Sequence, residues 1–147
     1  MQRPISLYRL IYASAVCEGV GSSQVRAILD VSRRNNAALG VTGLLCFSSG
    51  VFLQWLEGRR DAVNRLYHRI ASDPRHRDPV LLWLEDAHER VFADWSMGYV
   101  GEGVLASATL FRFGISRLDE LRELSGAAVV KLLLALGDQA RRLGQAA

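Results

Sequence analysis

The chain has 147 residues, half of them hydrophobic and 22% charged, with three prolines; that is enough to bury a core without disulfides or a structural metal, and it lacks the composition of a long disordered tract. Cys17 and Cys46 show neither disulfide nor zinc spacing and read as free thiols of a reducing cytosol. The net charge of +3 comes from scattered arginines; Arg33-Arg34, Arg59-Arg60 and Arg141-Arg142 are not extended into basic runs or interleaved with aromatic residues, which argues against direct nucleic-acid binding. Met1 to Ser6 lack the charged start and apolar run of a signal peptide. The longest apolar run, Ala127 to Leu136, is broken by Lys131 and falls short of the roughly 20 residues that span a bilayer. A cytoplasmic protein without membrane contact is the expectation.

Ile5 to Val16 is rich in Ile, Leu, Tyr and Val and runs into Gly19 and Gly21, so it reads as a first strand and its exit turn. In an extended chain Tyr8, Leu10, Tyr12 and Ser14 share one face, and Leu7, Ile11 and Ala15 the other. From Ser22 or Ser23, as caps, the period becomes helical: Val25, Ile28, Leu29, Ser32 and Asn36 form one stripe, ending between Asn36 and Gly40. Val41 to Phe47 and Val51 to Glu57 flank Ser48, Ser49 and Gly50, the composition of a tight hairpin. A second helix fits Asp61 to Ser72, burying Val63, Leu66, Tyr67 and Ile70, and Asp73-Pro74 stops it. Pro79 to Leu84 reads as a fourth strand. Phe92 to Val100, with Trp95, Met97 and Tyr99 alternating on one face, reads as a fifth.

This order predicts an α/β (α+β) sandwich related to the ferredoxin-like layout. Neither face of the Val51 to Glu57 strand suits water, since Phe52, Gln54 and Leu56 oppose Val51, Leu53 and Trp55. Two helices cover one face; the C-terminal region is expected on the other. There Ser116 with Asp119 resembles a capping box, Leu118, Leu121 and Leu124 form a stripe, and Ser125-Gly126 precedes a last helix, Ala127 to Leu143. That helix is apolar on more than one side, so it is expected to touch the sheet and a further surface, such as a second subunit.

The sequence carries no Gly-rich phosphate loop, no nucleophile elbow and no zinc-ligand spacing among His68, His76 and His88, so hydrolase, kinase and metalloenzyme chemistry lose their support. What stands out is polarity where pattern asks for apolar side chains. Gln54 lies between Phe52 and Leu56, and its amide must satisfy two donors and two lone pairs. Tyr12 faces the same way from another strand. Either could be an ordinary core residue with a satisfied polar tip. Asn36 ends the buried stripe of the first helix, where an asparagine is also a common cap; Arg69, Ile70, Arg75 and His76 follow at the end of the second helix. Pattern alone suggests a polar pocket beside the sheet and leaves its ligand open.

Five runs together resemble the BLUF family of flavin-binding photoreceptor domains, in that family's order and spacing. They are Leu10-Ile11-Tyr12-Ala13-Ser14, Asn35-Asn36 leading to Gly40-Val41-Thr42-Gly43-Leu44-Leu45, Phe52-Leu53-Gln54-Trp55-Leu56-Glu57-Gly58, Asp73-Pro74-Arg75-His76 and Phe92-Ala93-Asp94-Trp95-Ser96-Met97. The match covers roughly Ser6 to Gly101. It implies a five-stranded mixed sheet with two helices on one face and C-terminal helices on the other, a flavin-binding domain over residues 1–101, and a helical extension for output or oligomerisation over 102–147. It also implies oxidised FAD between the first two helices, clasped by Ile28 and Ile70, with Asn36 on its pyrimidine edge and Asn35, Arg69, Arg75 and His76 as further contacts. Tyr12 then matches the electron and proton donor, Gln54 the amide that bridges it to the flavin, and Trp95 and Met97 the residues that pass the signal on.

The function implied is a blue-light photoreceptor without substrate turnover, its red-shifted lit state encoded in a rearranged Gln54 and read by a separate signalling partner, with homo-oligomers expected. Two alternatives stand beside the function the resemblance implies: a flavin-free interaction module of the same fold, or a flavin-dependent oxidoreductase.

Overall fold

The computed structural model describes residues 6–48, 50–101 and 107–142. Ser49 of the expected hairpin turn, the first five residues, and residues 102–106 and 143–147 of the expected extension lie outside these.

One sheet holds β1 (Leu7–Val16), β2 (Thr42–Ser48), β3 (Val51–Arg59), β4 (His76–Ala87) and β5 (Gly98–Val100), in the order β4-β1-β3-β2-β5. Only β5 against β2 is parallel among these pairings, so the sheet is mixed. The helices are α1 (Ser22–Leu39), α2 (Arg60–Ala71), α3 (Ser107–Arg112) and α4 (Gly126–Arg142), with a 3-10 turn over Leu118–Glu123. α1 starts one residue earlier than its serines suggest: Gly21 is the N-cap, and its N–H donates to Gln24 Oε1 at 2.9 Å. It ends where Gly40 turns left-handed, φ 69°, a conformation glycine adopts without a Cβ penalty.

The strand parity read from the sequence divides the core as expected. Leu10, Tyr12, Leu45, Phe52 and Leu56 pack beneath Val25 and Leu29 of α1 and Val63 and Leu66 of α2. Ile11, Ala13, Leu44, Cys46, Leu53 and Trp55 pack against Val129, Leu132, Leu133 and Leu136 of α4. The same cluster takes in Leu110, Ile115, Leu118 and Leu121, so part of the apolar surface of α4 is met by the segment that precedes it in the chain. The helix lies close against the segment between β4 and β5: a Cβ on Gly137 would sit 2.7 Å from the Phe92 ring.

Several expectations need correcting. β4 runs from His76 to Ala87, far beyond Pro79 to Leu84. It is an edge strand in which half of the residues are exposed and none is fully buried, so hydrophobic alternation is too weak to mark its ends, and its proline is tolerated there. β5 is only Gly98–Val100; residues 92–97 form a turn in which Trp95 N–H donates to the Phe92 carbonyl at 3.1 Å. Without an extended backbone the alternation of Trp95, Met97 and Tyr99 fails: Trp95 packs in the α4 cluster, while Met97 and Tyr99 pack in the α1/α2 cluster. At Ser116 the hydroxyl donates to Glu120 rather than Asp119, at 2.9 Å, because Asp119 is paired with Arg117.

Candidate functional site

Tyr12 on β1 and Gln54 on β3 are direct cross-strand partners, and Leu45 of β2 lies opposite Gln54 on the other side. Directly opposed residues of an antiparallel pair bring their Cβ atoms to about 5 Å, so the two polar groups meet by register alone. The Tyr12 hydroxyl donates to Gln54 Oε1. Gln54 Nε2 in turn donates to Met97 Sδ at 3.3 Å. All three side chains are buried. Burial, reinforced by the nearby Tyr67 hydroxyl and Asp73 carboxylate, pushes the Tyr12 phenol far above its ordinary range, so it remains a neutral donor.

This chain of polar atoms ends at a cleft between α1 and α2. Ile28, Val31, Ser32, Asn35 and Asn36 line it from α1, Leu66, Arg69 and Ile70 from α2, and Asp73, Arg75 and His76 from the segment into β4. An inner recess reached past Ile28, Ser32, Ile70 and His76 is floored by Tyr12, Leu45, Phe52 and Gln54. The cleft offers about 200 Å³ of free volume, below the roughly 300–1,000 Å³ of sites that engulf a drug-sized ligand whole. Such a cleft suits one end of a longer molecule.

The structure therefore gathers Tyr12, Gln54, Ile28, Asn35, Asn36, Arg69, Ile70, Arg75 and His76 around one space, while Met97 stands behind Gln54 and touches that amide without lining the space. It does not bring Trp95 there. Asn36 Nδ2 donates to the Ser96 carbonyl at 3.2 Å, while its Oδ1 is buried without a hydrogen-bond partner. A buried orphan acceptor costs about 1–3 kcal/mol unless a ligand donor meets it. Arg75 is held by Asp73 through contacts as short as 2.6 Å, and this pairing lowers the Asp73 carboxyl to about 2. His76 Nδ1 lies 2.7 Å from Ser14 Oγ. Burial, with Arg75 acting in the same direction against Asp73, lowers the His76 pKa and favours the neutral ring.

Four contributors escaped sequence reasoning. Arg33 Nε donates to the Met97 carbonyl at 3.0 Å; it stands three residues before Asn36, a spacing that a helical-face reading could have used. Ser14 was legible as an inward residue but not as the partner of His76. Ser32 and Asp73 were visible only as a stripe member and a helix stop.

A mixed sheet carrying two helices on one face, with a cleft between them whose inner recess is floored by a phenol and an amide, defines an α+β domain with a candidate ligand site. The family model described as sensors of blue-light using FAD matches residues 7–98, and the chain belongs to that family, the BLUF proteins. Over 103 residues it is 36% identical to the photoactivated adenylate cyclase subunit beta of Euglena longa, a match that takes in 69% of this chain and 12% of that protein. The chain thus spans only a small part of such curated relatives. Among solved structures, BlsA in its photo-activated state is similar with a TM-score of 0.78 and 28% identity, over 88% of this chain and 94% of that one. BlrB, a BLUF protein in its dark state, matches with a TM-score of 0.72 and 30% identity, over 95% and 99%.

The residues present fit a flavin. The unpaired Asn36 Oδ1 offers an acceptor to a ring N–H, Ile28 and Ile70 give aliphatic walls, and Arg69 lies at the rim with the Arg75–Asp73 pair. Among the described residues no three His, Cys, Asp or Glu side chains gather to hold a metal, and no helix is long and apolar enough to cross a membrane.

Proposed function

We propose that this chain binds FAD in the cleft between α1 and α2 and reports blue light through Tyr12, Gln54 and Met97 to a separate signalling partner, without turning over a substrate. The reading is carried by the path from the Tyr12 hydroxyl through the Gln54 amide to the Met97 sulfur, of which Tyr12 and Gln54 floor the recess of the cleft. Ile28 and Ile70 would hold the flavin ring, Asn36 its pyrimidine edge, and Asn35, Arg69, Arg75 and His76 the remainder of the cofactor.

Bound there, the flavin supplies a strong oxidant on absorbing blue light. Tyr12 is suited to answer it: its phenol is kept neutral by burial, so an electron leaves together with the proton directed at Gln54 Oε1. Gln54 can exchange its donor and acceptor edges by rotation or tautomerism. Tyr12 can accommodate either edge, because a phenol both donates and accepts; Met97 cannot, because a thioether only accepts. The exchanged amide therefore persists as a changed contact at Met97, and the signal leaves through β5 and the C-terminal helices, residues 102–147 serving as output or self-assembly elements.

The test is the absorption spectrum of the purified chain, supplied with FAD or FMN, before and after blue light. A bound flavin and a small, reversible red shift are expected. A protein that stays colourless, or a bound flavin whose spectrum does not respond to light, rejects the proposal.

A further inference from the structure

We propose that Arg141 of α4 is a positioning residue for the photoreaction: it holds Trp95 in a seat on the far face of the sheet, and through Trp95 keeps Met97 against Gln54, so that the lifetime of the lit state depends on it. The proposal rests on the light-sensing reading above and names a residue through which α4 is tied to that site.

The seat is built from three sides. Trp95 stacks on Phe92 with ring planes 9° apart and centroids 5.5 Å apart. Its ring lies so close over Gly98 that a Cβ there would come within 2.4 Å of Trp95 Cε3, so the seat exists only because position 98 carries no side chain. Arg141 closes the third side, its guanidinium carbon 4.8 Å from the Trp95 centroid and 5.4 Å from that of Phe92. The guanidinium is aimed by the backbone, since Nη2 donates to the Val91 carbonyl at 3.1 Å. Its contact with Asp138, 3.5 Å between two exposed side chains, adds little in water.

Residues 95–97 are gripped on the opposite side as well. The Trp95 carbonyl accepts from Gly43 N–H at 3.2 Å, and the Ser96 and Met97 carbonyls accept from Asn36 and Arg33 of α1. Trp95 and Met97 are two residues apart in this pinned segment, so a shift of its backbone carries both. When Gln54 turns its oxygen toward Met97, the sulfur loses its donor and one reason for the segment to stay in place. The Arg141 clasp then favours the original position, and with it the return of Gln54 to its dark orientation.

The experiment follows thermal recovery of the red shift in the FAD-loaded chain and in Arg141→Ala and Arg141→Met. Flavin content and shift amplitude should match the unaltered chain in both, with recovery slowed roughly two- to fivefold, the range a partly exposed cation–π contact supplies. Adding Arg141→Ala to Trp95→Leu should produce no further slowing. Unchanged or faster recovery in Arg141→Ala overturns the proposal. So does a wild-type rate in Arg141→Met, which would mean that the side chain serves by bulk alone, and so does full slowing in the Trp95→Leu background. Absence of any red shift in the unaltered chain strikes the light-sensing reading itself and this inference with it, whereas a normal shift with unchanged recovery strikes Arg141 alone.

Discussion

Gln54 donates from Nε2 to the sulfur of Met97 at 3.3 Å while its Oε1 accepts from the Tyr12 hydroxyl. The two neighbours are unequal. Tyr12 tolerates either edge of the amide, whereas Met97 favours only the orientation that points the NH2 group at sulfur. Met97→Leu keeps the volume and removes that preference, a swap that costs the fold less than about 1.5 kcal/mol. The dark orientation should lose at most about 1 kcal/mol, and recovery of the red shift should slow by up to about fivefold. Recovery at the unaltered rate would show that the sulfur contact carries none of the orientation.

Tyr12→Phe removes the donor and leaves the ring in its place against Tyr67, 5.6 Å away between centroids. The red shift should vanish while bound flavin remains; a persistent shift removes Tyr12 from the photochemistry. Because burial raises the Tyr12 pKa, the hydroxyl stays protonated well past the ordinary phenol range. The amplitude of the shift in the unaltered chain should therefore be the same at pH 7 and at pH 10. A fall following a phenol titration would show that Tyr12 is solvated.

Asn36 carries a buried Oδ1 with no partner in the protein, an arrangement a ligand donor would relieve. Asn36→Leu removes the orphan acceptor but leaves the Ser96 carbonyl without its donor, so the two effects offset in part and the ligand-free chain should lose about 1 kcal/mol. Its main effect should appear on adding FAD, as a smaller rise in melting temperature than in the unaltered chain. An equal rise in both proteins means that Asn36 does not meet the cofactor.

His76 lies between Ser14 and the rings of Phe52 and Tyr12, with Asp73 and Arg75 beside it. Its pKa is lowered in the folded chain, so the unfolded chain takes up the proton first as pH falls. Stability contributed by the neutral ring is present above the ordinary histidine value of about 6.5 and is lost as pH drops below it. Melting temperatures between pH 8 and pH 5 should show this loss, and His76→Asn should reduce it. An unchanged pH profile in the variant would assign the titration elsewhere.

The faces of β1 and β3, the two helices above them and the inward polarity of Tyr12 and Gln54 were all legible, because alternation and helical stripes report burial directly. The place of Trp95 was not. Parity predicts a side chain's face only while the backbone stays extended, and residues 92–95 turn instead. That turn is held by Glu57, a residue from another strand that no local pattern connects to it. β4 was obscured for a different reason: as a solvated edge it buries too little to leave a period. The grip of Arg141 on Trp95 joins positions that are distant in sequence, and a lone arginine in a terminal helix carries no local sign of it.

Glu57 is 1% exposed, and its two oxygens accept from Thr42 Oγ1 at 3.3 Å, Trp55 Nε1 at 3.2 Å, Val91 N–H at 3.0 Å and Phe92 N–H at 2.5 Å. Four donors use the four lone-pair positions of a carboxylate, so the group is matched to its partners without a spare site. Glu57→Gln preserves shape but replaces one oxygen with an NH2 group that faces donors. With the NH2 group in the place of Oε2, the Trp55 and Val91 N–H groups lose their acceptor. In the place of Oε1, the Thr42 hydroxyl can turn to accept and only the Phe92 N–H loses its acceptor, so one or two N–H groups are left unpaired at a cost of about 1–4 kcal/mol. Urea unfolding should show this as a lower midpoint at an unchanged slope. Because Val91 and Phe92 begin the turn that seats Trp95, the loosened turn should also make Trp95 more accessible to a soluble fluorescence quencher, measured against a Trp95→Phe reference. A midpoint shift equivalent to less than about 0.5 kcal/mol, with unchanged quenching, would mean that the amide replaces the carboxylate and that the turn is held by the Phe92–Trp95 stack instead.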